Sequence, residues 1–455
     1  MTSVQGKTFD EIKVGDQATT HRTFQARDLR AWANAFGDVA LLDGSSDMQD
    51  TAGVVTALFT GLVRSALPGP GAHVHSIAVD TACALPIDAI LTATVTVQEK
   101  RADTGLVVLH ARCSEPGDRT VATGVCEVKP TTVLVRSDVQ AHRLDGLLEH
   151  CLGLPPMTTA VVHPCSIEAL LGAVEAAVAG LIVPILYGPP RQMHQIADAA
   201  KLDISAYKIV ATEDAEDSAL QAAMAAGAGE VKALMKGSLD TNILLHAAMQ
   251  KEAKLRTGGL LSHCALLSVP SYGRRFVLTD AALNIAPDTD QKRDIAQNAI
   301  DFARAMGVEV PKLAVLAAVE MVNTKMPATL DGAILAKMND RGQITGGIVD
   351  GPLDLDAAVD VEAAKTKHIK SPVAGVADIL LAPNIEAANM IYKNLVFMAD
   401  AQTAGLVVGA RVPVILTSRA DTAASRRFSA AVAVLYAEAQ KGDTGARIAA
   451  WVPGR

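Results

Sequence analysis

The sequence predicts an α/β protein built on mostly parallel sheet, preceded by a smaller α+β domain. Three observations carry this expectation. Half of the residues are apolar but only 3% are aromatic, a mixture that suits helices packed closely on parallel strands better than a β-sandwich. From about Leu147 onward, short apolar runs alternate with longer amphipathic ones, the pattern of repeated βαβ units. Before Pro130 the chain shows period-two alternation instead, as in half-buried antiparallel strands. At 455 residues the chain exceeds one ordinary domain.

In the front region, helical segments are expected at 26–36 and 53–66, and strands at 73–80, 90–98, 106–113 and 121–129. AILTATVTVQEK alternates strictly, and GLVVLHARC and TVATGVCEV repeat the pattern across the turn-prone SEPGDR. A central helix followed by an antiparallel meander describes a hotdog-type domain over 1–130. VRSDVQAHRLDG is charged and weakly periodic, so 131–146 reads as a connection leading into a helix. In the rear region, 147–455, strands are expected at 181–187, 207–212, 312–316, 377–381 and 412–417. Helices follow at 191–200, 217–226, 328–340, 385–400 and 423–440. Segments 260–269 and 274–279, joined across PSYG, read as a hairpin. Ligands of open α/β sheets sit beyond the carboxyl ends of the strands, so the loops after each strand are where chemistry is sought.

Composition removes several function classes. The formal charge is −8, and no stretch concentrates Lys and Arg enough to track a phosphate backbone. Nucleic acid is therefore not an expected partner, whereas a few converging arginines still suit anionic small molecules. The six cysteines are scattered, with no CxxC pair and no zinc-site spacing, as in a reduced cytoplasmic protein without a structural metal. MTSVQGKTFDEIKVGD carries acids and no apolar core, unlike a signal peptide. The most membrane-like stretch, 170–187, holds Glu175, Gly180 and Pro184, and reads as a helix running into a buried strand.

The most informative loop lies in RVPVILTSRADTAASRRFS. A buried strand delivers Ser418 and Arg419 at its carboxyl end, and Asp421 and Thr422 stand ready to cap the helix that follows. A hydroxyl, a guanidinium and a carboxylate thus gather at a helix N-terminus that itself attracts anions. Displacing a thiolate from a thioester with phosphate needs such parts: positive charge for the phosphate and the developing oxyanion, and a base for the thiol in reverse. An Asp cap beside a solvated Arg would leave the same letters.

This segment resembles the C-terminal signature of the phosphate acetyltransferase and phosphate butyryltransferase family. ALMKGSLDT, LRTGGLLSHC, VLTDAALNIAPD, VEMVNTKMPATLDGAILAKM, GIVDGPLDLDAAV and ADILLAPNIEAANMIYK agree with it, in the order similar enzymes show, and together cover nearly all of 146–440. The resemblance implies a two-subdomain α/β acyltransferase with the active site in the cleft between the subdomains, usually as a homo-oligomer. Its substrates would be acyl-CoA and phosphate, or CoA and acyl phosphate, with no metal and no tightly bound cofactor. Ser418 and Arg419 match the catalytic Ser-Arg pair, and Arg256 falls where similar enzymes place a second arginine. The carboxylate taken as the base in many acetyl-specific members lies seven positions after the serine, where this chain has Ser425; Asp421 is the substitute the butyryl-type enzymes suggest. Lys236, before Gly237, is a candidate phosphate contact. Asp280, Asn284 and Asn384 sit at strand-to-helix junctions, where Asx capping competes with ligand contact. His163 and His263 lie beside apolar runs and read as structural.

FQARDLRAWANAFGDVALLD resembles the entry helix and loop of the MaoC-like (R)-specific enoyl-CoA hydratases, whose Asp and His, five apart, form an acid/base dyad. Here Asp38 is kept but Asp43 stands in place of the histidine. A second carboxylate cannot act as an imidazole does near neutral pH unless its pKa is raised considerably. The front domain is therefore expected to lack hydratase activity and to serve binding, oligomerisation or substrate delivery. The competing readings are a bifunctional enzyme with a working hydratase, a hydratase with a regulatory rear domain, and a non-enzymatic CoA or acyl-phosphate sensor. Acyl preference is set by pocket side chains that sequence cannot place; acetyl is expected, with propionyl and butyryl tolerated.

Overall fold

The computed structural model describes residues 4–24, 32, 52–83, 90–115, 117–131, 136–137, 144, 146–416 and 423–441. The chain divides into two compact units, Met1–Val139 and Gln140–Arg455.

In the first unit the strands are β1 (Val4–Gln5), β2 (Gln17–Thr23), β3 (His73–Thr81), β4 (Ile90–Arg101), β5 (Leu106–Ser114), β6 (Thr120–Lys129) and β7 (Arg136–Ser137), with helix α1 (Ala52–Ser65) between β2 and β3. Five of them form an antiparallel sheet in the order β2-β4-β5-β6-β3. The alternation in β4 does what its pattern dictates. Leu91, Ala93, Val95 and Val97 are buried, and the threonines between them take the other face. Against this face α1 lays Val54, Val55, Phe59, Leu62 and Val63, an amphipathic stripe closing one core. Gly124 on β6 allows the close approach: a Cβ there would lie 2.8 Å from the Ala78 carbonyl and 3.4 Å from the Phe59 ring. A helix laid on one face of an antiparallel sheet is the layout the alternation demands. Within the stretch that reads as a connection, β7 pairs antiparallel with β1. Of the expected helix at 26–36 only Trp32 is described, and it is helical; the rest of that segment, with Asp38 and Asp43, lies outside the described residues.

The second unit opens with α2 (Gly146–Cys151), β8 (Met157–Val162), α3 (Ile167–Val178), β9 (Ile182–Gly188), α4 (Pro190–Ala200), β10 (Lys208–Ala211), α5 (Ala215–Gly227), β11 (Ala233–Lys236) and α6 (Thr241–Ala248). It continues with β12 (Ser262–Ser268), β13 (Arg275–Thr279), α7 (Thr289–Ala305), β14 (Lys312–Leu316), α8 (Pro327–Asp340), β15 (Ile348–Leu353), α9 (Leu355–Val359), α10 (Val361–Thr366), β16 (Ile379–Leu381), α11 (Ile385–Met398), β17 (Gln402–Val408), β18 (Val414–Ile415) and α12 (Ala423–Ala439). Its strands form one sheet in the order β10-β9-β8-β11-β18-β17-β12-β13-β16-β14-β15. Two parallel blocks, β10 to β18 and β13 to β15, are joined through antiparallel β17 and β12. The expected mostly parallel α/β architecture is met, in one continuous mixed sheet.

Local chemistry starts the helices where the sequence marks them. Ser166 caps α3, accepting from the Ala169 amide at 3.3 Å; Asp214 caps α5 from Asp217 at 2.8 Å; Asp288 and Gln291 form a capping box on α7. Among the described residues no helix is long and apolar enough to cross a membrane. The run 170–187 divides into α3 and β9, as its glycine and proline suggest.

Candidate functional site

Two places at strand ends gather polar side chains. The first is the carboxyl edge of the parallel block. Chain order runs from β8 outward through β9 to β10, then returns to place β11 on the other side of β8. The crevice between the loops after β8 and β11 is therefore the topological switch point of this block, where open α/β sheets bind ligands. His163 leaves β8 with φ of 52°, and its carbonyl accepts from both the Ser238 amide (2.9 Å) and the Ser238 hydroxyl (3.2 Å). Gly237 makes this lacing possible, since a Cβ there would lie 2.3 Å from the Val162 carbonyl oxygen and 2.5 Å from that of His163. Lys236, the last residue of β11, is buried, with its ammonium 3.4 Å from the Gly237 carbonyl. The imidazole Nδ1 of His163 is 3.3 Å from the Ser218 hydroxyl on α5, which in turn contacts Thr212 Oγ1 at 2.7 Å and donates to the Asp214 carbonyl at 2.6 Å. Burial holds the His163 pKa below the ordinary imidazole value, against the opposing pull of Asp214 and Glu216.

Strand β18 lies beside β11 in parallel register, with Leu234 opposite Val414 and Met235 opposite Ile415. The chain thus leaves β18 at Leu416 next to Lys236. Ser418, Arg419 and Asp421 follow and lie outside the described residues. On α12, the Ser425 hydroxyl is 3.4 Å from that of Thr403 on β17, a contact between two neutral groups.

The second place is the turn after β13. Asp280 is buried, and all of its acceptor capacity turns inward. One carboxylate oxygen accepts from the amides of Ala282 (2.9 Å) and Leu283 (3.0 Å), the other from the amide of His263 (3.1 Å) and the side chain of Asn284 (2.7 Å). Asn284 also donates to the Leu261 carbonyl and lines a cavity of about 470 Å³. Arg256 and Asn242 contribute the cavity's other polar walls, while Leu245, Met249 and Leu283 supply apolar ones. Arg256 is exposed, bridges backbone to backbone with Ala410, and has no carboxylate partner among the described residues. His263 is buried behind the turn. Among the described residues its Nδ1 has no hydrogen-bond partner, and burial drives its pKa down while Asp280 opposes the shift. Beside it, burial pushes the Cys264 thiol far up, leaving it an inert core residue. Asn384 caps α11 through the Ala387 amide at 2.9 Å. Among the described residues no group of three or more His, Cys, Asp or Glu side chains is arranged to hold a metal ion.

Comparison with known proteins decides the family. A family model described as "Phosphate acetyl/butaryl transferase" matches residues 190–434, more than half of the chain. The chain belongs to the phosphate acetyl/butyryltransferase family. The phosphate acetyltransferase of Rhizobium meliloti is 46% identical over 66% of this chain and 96% of its own length. The phosphate butyryltransferase of Clostridium beijerinckii is 42% identical over 66% of this chain and all of its own length. Among solved structures, a branched-chain phosphotransacylase from Enterococcus faecalis V583 is 31% identical, covers 62% of this chain and 99% of that one, and superposes with a TM-score of 0.55.

Within this acyltransferase fold, the residues singled out from sequence fall into separate groups. Arg256 and Asn284 share one cavity, with Asp280 bracing Asn284 from behind. Lys236 stands at the other strand end, beside the strand leading to Ser418. Asn384 spends its side chain on a helix cap. Sequence reasoning assigned His163 a structural role and missed Ser218, Thr212 and Ser238 around it. The signal was a His-Pro pair directly after the apolar run 157–162, at the end of the strand that opens the sheet.

Proposed function

We propose that this chain moves a short acyl group, acetyl foremost and propionyl or butyryl in addition, between CoA and inorganic phosphate. The observation that carries the reading is the register of β18 against β11, which brings the chain out at Leu416 beside buried Lys236, two residues before the Ser418–Arg419 pair. Family membership supplies the reaction class. In this reading a phosphate oxygen attacks the thioester carbonyl. Arg419 and Lys236 attract the phosphate and offset the oxyanion charge, Ser418 hydrogen-bonds the transferring group, and Asp421 is the carboxylate available as a base. Arg256 and Asn284 hold the anionic, amide-rich CoA at the cavity, with Asp280 and Asn384 shaping the turns around it. The cleft between the two subdomains of 147–455 is the site. No metal or resident cofactor enters this scheme, and CoA, acyl-CoA, acyl phosphate and phosphate are the partners.

The hotdog domain, 1–130, with Asp38 and Asp43 where a hydratase needs Asp and His, serves binding or oligomerisation rather than hydration, and 131–146 joins it to the transferase. A homo-oligomer is supported by α11, which exposes Met390, Phe397 and Met398 at 70%, 65% and 82%. Six free cysteines fit the reducing cytoplasm. The test is thiol release from a series of acyl-CoAs on adding phosphate, with Arg419→Ala alongside. Removing a charge aimed at the oxyanion is expected to lower turnover about 100- to 1,000-fold with unchanged circular dichroism; turnover near wild type would refute the assignment.

A further inference from the structure

We propose that His163 is the proton acceptor for the CoA thiol, oriented by a relay through Ser218 and Thr212; this deepens the acyltransferase reading and rests on it. The relay fixes the tautomer. The single proton of the Ser218 hydroxyl goes to the Asp214 carbonyl at 2.6 Å, so the Ser218 oxygen can only accept from its other two neighbours. Thr212 at 2.7 Å therefore donates to it, and so does His163 Nδ1 at 3.3 Å. With Nδ1 protonated, the neutral ring carries its lone pair on Nε2, which makes no hydrogen bond to the described protein. Ser218 is fully buried and Thr212 nearly so, so the relay is rigid, while His163 itself is only half-buried and remains reachable.

The place of the ring also fits. It stands at the switch point between β8 and β11, one strand from the β18 end that leads to Ser418. The charged groups around it are Asp214 and Glu216 at the start of α5 and Lys236 at the end of β11. Cys165 on the same loop, with its thiol pushed up to about 11 by burial, and Tyr187 on β9 stay uncharged near neutral pH. An imidazole is closer in pKa to a thiol of ~8.5 than is a carboxylate of ~4, so in this proposal His163 takes the base role for which Asp421 was available. In the acyl-CoA-forming direction the step balances. Nε2 takes the thiol proton as sulfur bonds to the acyl carbon; the carbon–oxygen bond to phosphate breaks; the imidazolium then returns that proton to the departing phosphate. One proton passes from thiol to phosphate, and the ring ends neutral.

The experiment uses the full chain, CoA and acetyl phosphate, with rates measured from pH 5 to 9. His163→Gln should lower kcat/KM about 100- to 10,000-fold at pH 7. It should lose the acidic limb of the profile and recover toward wild type as pH rises and the thiol ionises without help. Ser218→Ala should give a smaller loss. Its 15N histidine spectrum should show His163 released from the Nδ1-protonated form seen in the parent, a readout independent of turnover. A loss in His163→Gln that stays constant across pH marks a structural ring and overturns the proposal. So does near-wild-type activity, an acidic limb that disappears in Asp421→Asn but persists in His163→Gln, or an Nε2-protonated His163 in the parent. If wild type turns over no acyl donor, the acyltransferase reading itself fails. An active wild type with a pH-flat loss in His163→Gln sinks only the histidine.

Discussion

Replacing Asp280 by Asn tests the turn that shapes the cavity wall. The carboxylate is buried and satisfies four donors at 2.7–3.1 Å, three of them backbone amides. In Asp280→Asn one oxygen becomes an NH₂ that faces two N–H donors, and the remaining pair falls from charge-assisted to neutral hydrogen bonds. A hydrogen bond to a charged group contributes about 1.5–3 kcal/mol and a neutral one about 0.5–1.5. Two bonds lost and two weakened by about 1 kcal/mol each sum to roughly 5–8 kcal/mol, which rotation of the amide and entry of water reduce to about 3–5. Urea unfolding followed by circular dichroism measures it. The transition of the second unit should move by that amount, equivalent to roughly 10 °C in melting temperature at about 2–4 °C per kcal/mol. Because the brace on Asn284 is weakened or lost, KM for acyl-CoA should rise in the same protein under conditions where it is still folded. A shift below 1 kcal/mol would show that the turn does not depend on the charge, and the account of the cavity wall would have to be abandoned.

Two further outcomes follow from the same geometry. Gly237→Ala drives a Cβ to 2.3 Å and 2.5 Å from two backbone oxygens that cannot swing aside, so the loop after β11 must detach from β8; a loss of at least about 2 kcal/mol by thermal or urea unfolding is expected, and a neutral substitution would refute the tight lacing. Burial lowers the pKa of His263, so its folded value lies below the unfolded one. Stability is then fully present above pH ~6.5 and falls as pH drops below it, by up to about 1.4 kcal/mol per pH unit until the folded pKa is reached. His263→Gln should flatten that slope in melting curves taken from pH 7 to 5, and an unchanged slope would place the titration elsewhere.

Much of the fold was legible because the chain states its periods openly. The Thr-alternating run in β4 could bury only one face, and the hairpin of β12 and β13 was announced by PSYG between two apolar runs. Strands ending at a buried polar residue were harder to see. Strand β11 is four residues long and closes on Lys236, a residue type that normally marks the surface, so ALMK does not look like an interior strand. Within the described part of the expected strand 412–417 the strand is Val414–Ile415, and it starts late because Pro413 has no N–H to give a ladder and serves it only through a carbonyl that accepts from Leu234. The same locality limits the site. Asn384 next to a helix start could be read as a cap from its neighbours alone, and it is one.

His163 could not be read that way. Its significance depends on β11 returning to lie on the far side of β8, a pairing between residues some seventy positions apart, and on Ser218 having spent its one proton elsewhere. Neither is a property of the letters around the histidine. A residue whose chemistry is set by a long-range crossover and by the hydrogen-bond commitments of its neighbour looks, in sequence, like any polar residue at the end of an apolar run. The switch point between β8 and β11 is where those two kinds of hidden information meet, which is why the tautomer of one ring there tests the placement of the whole crevice.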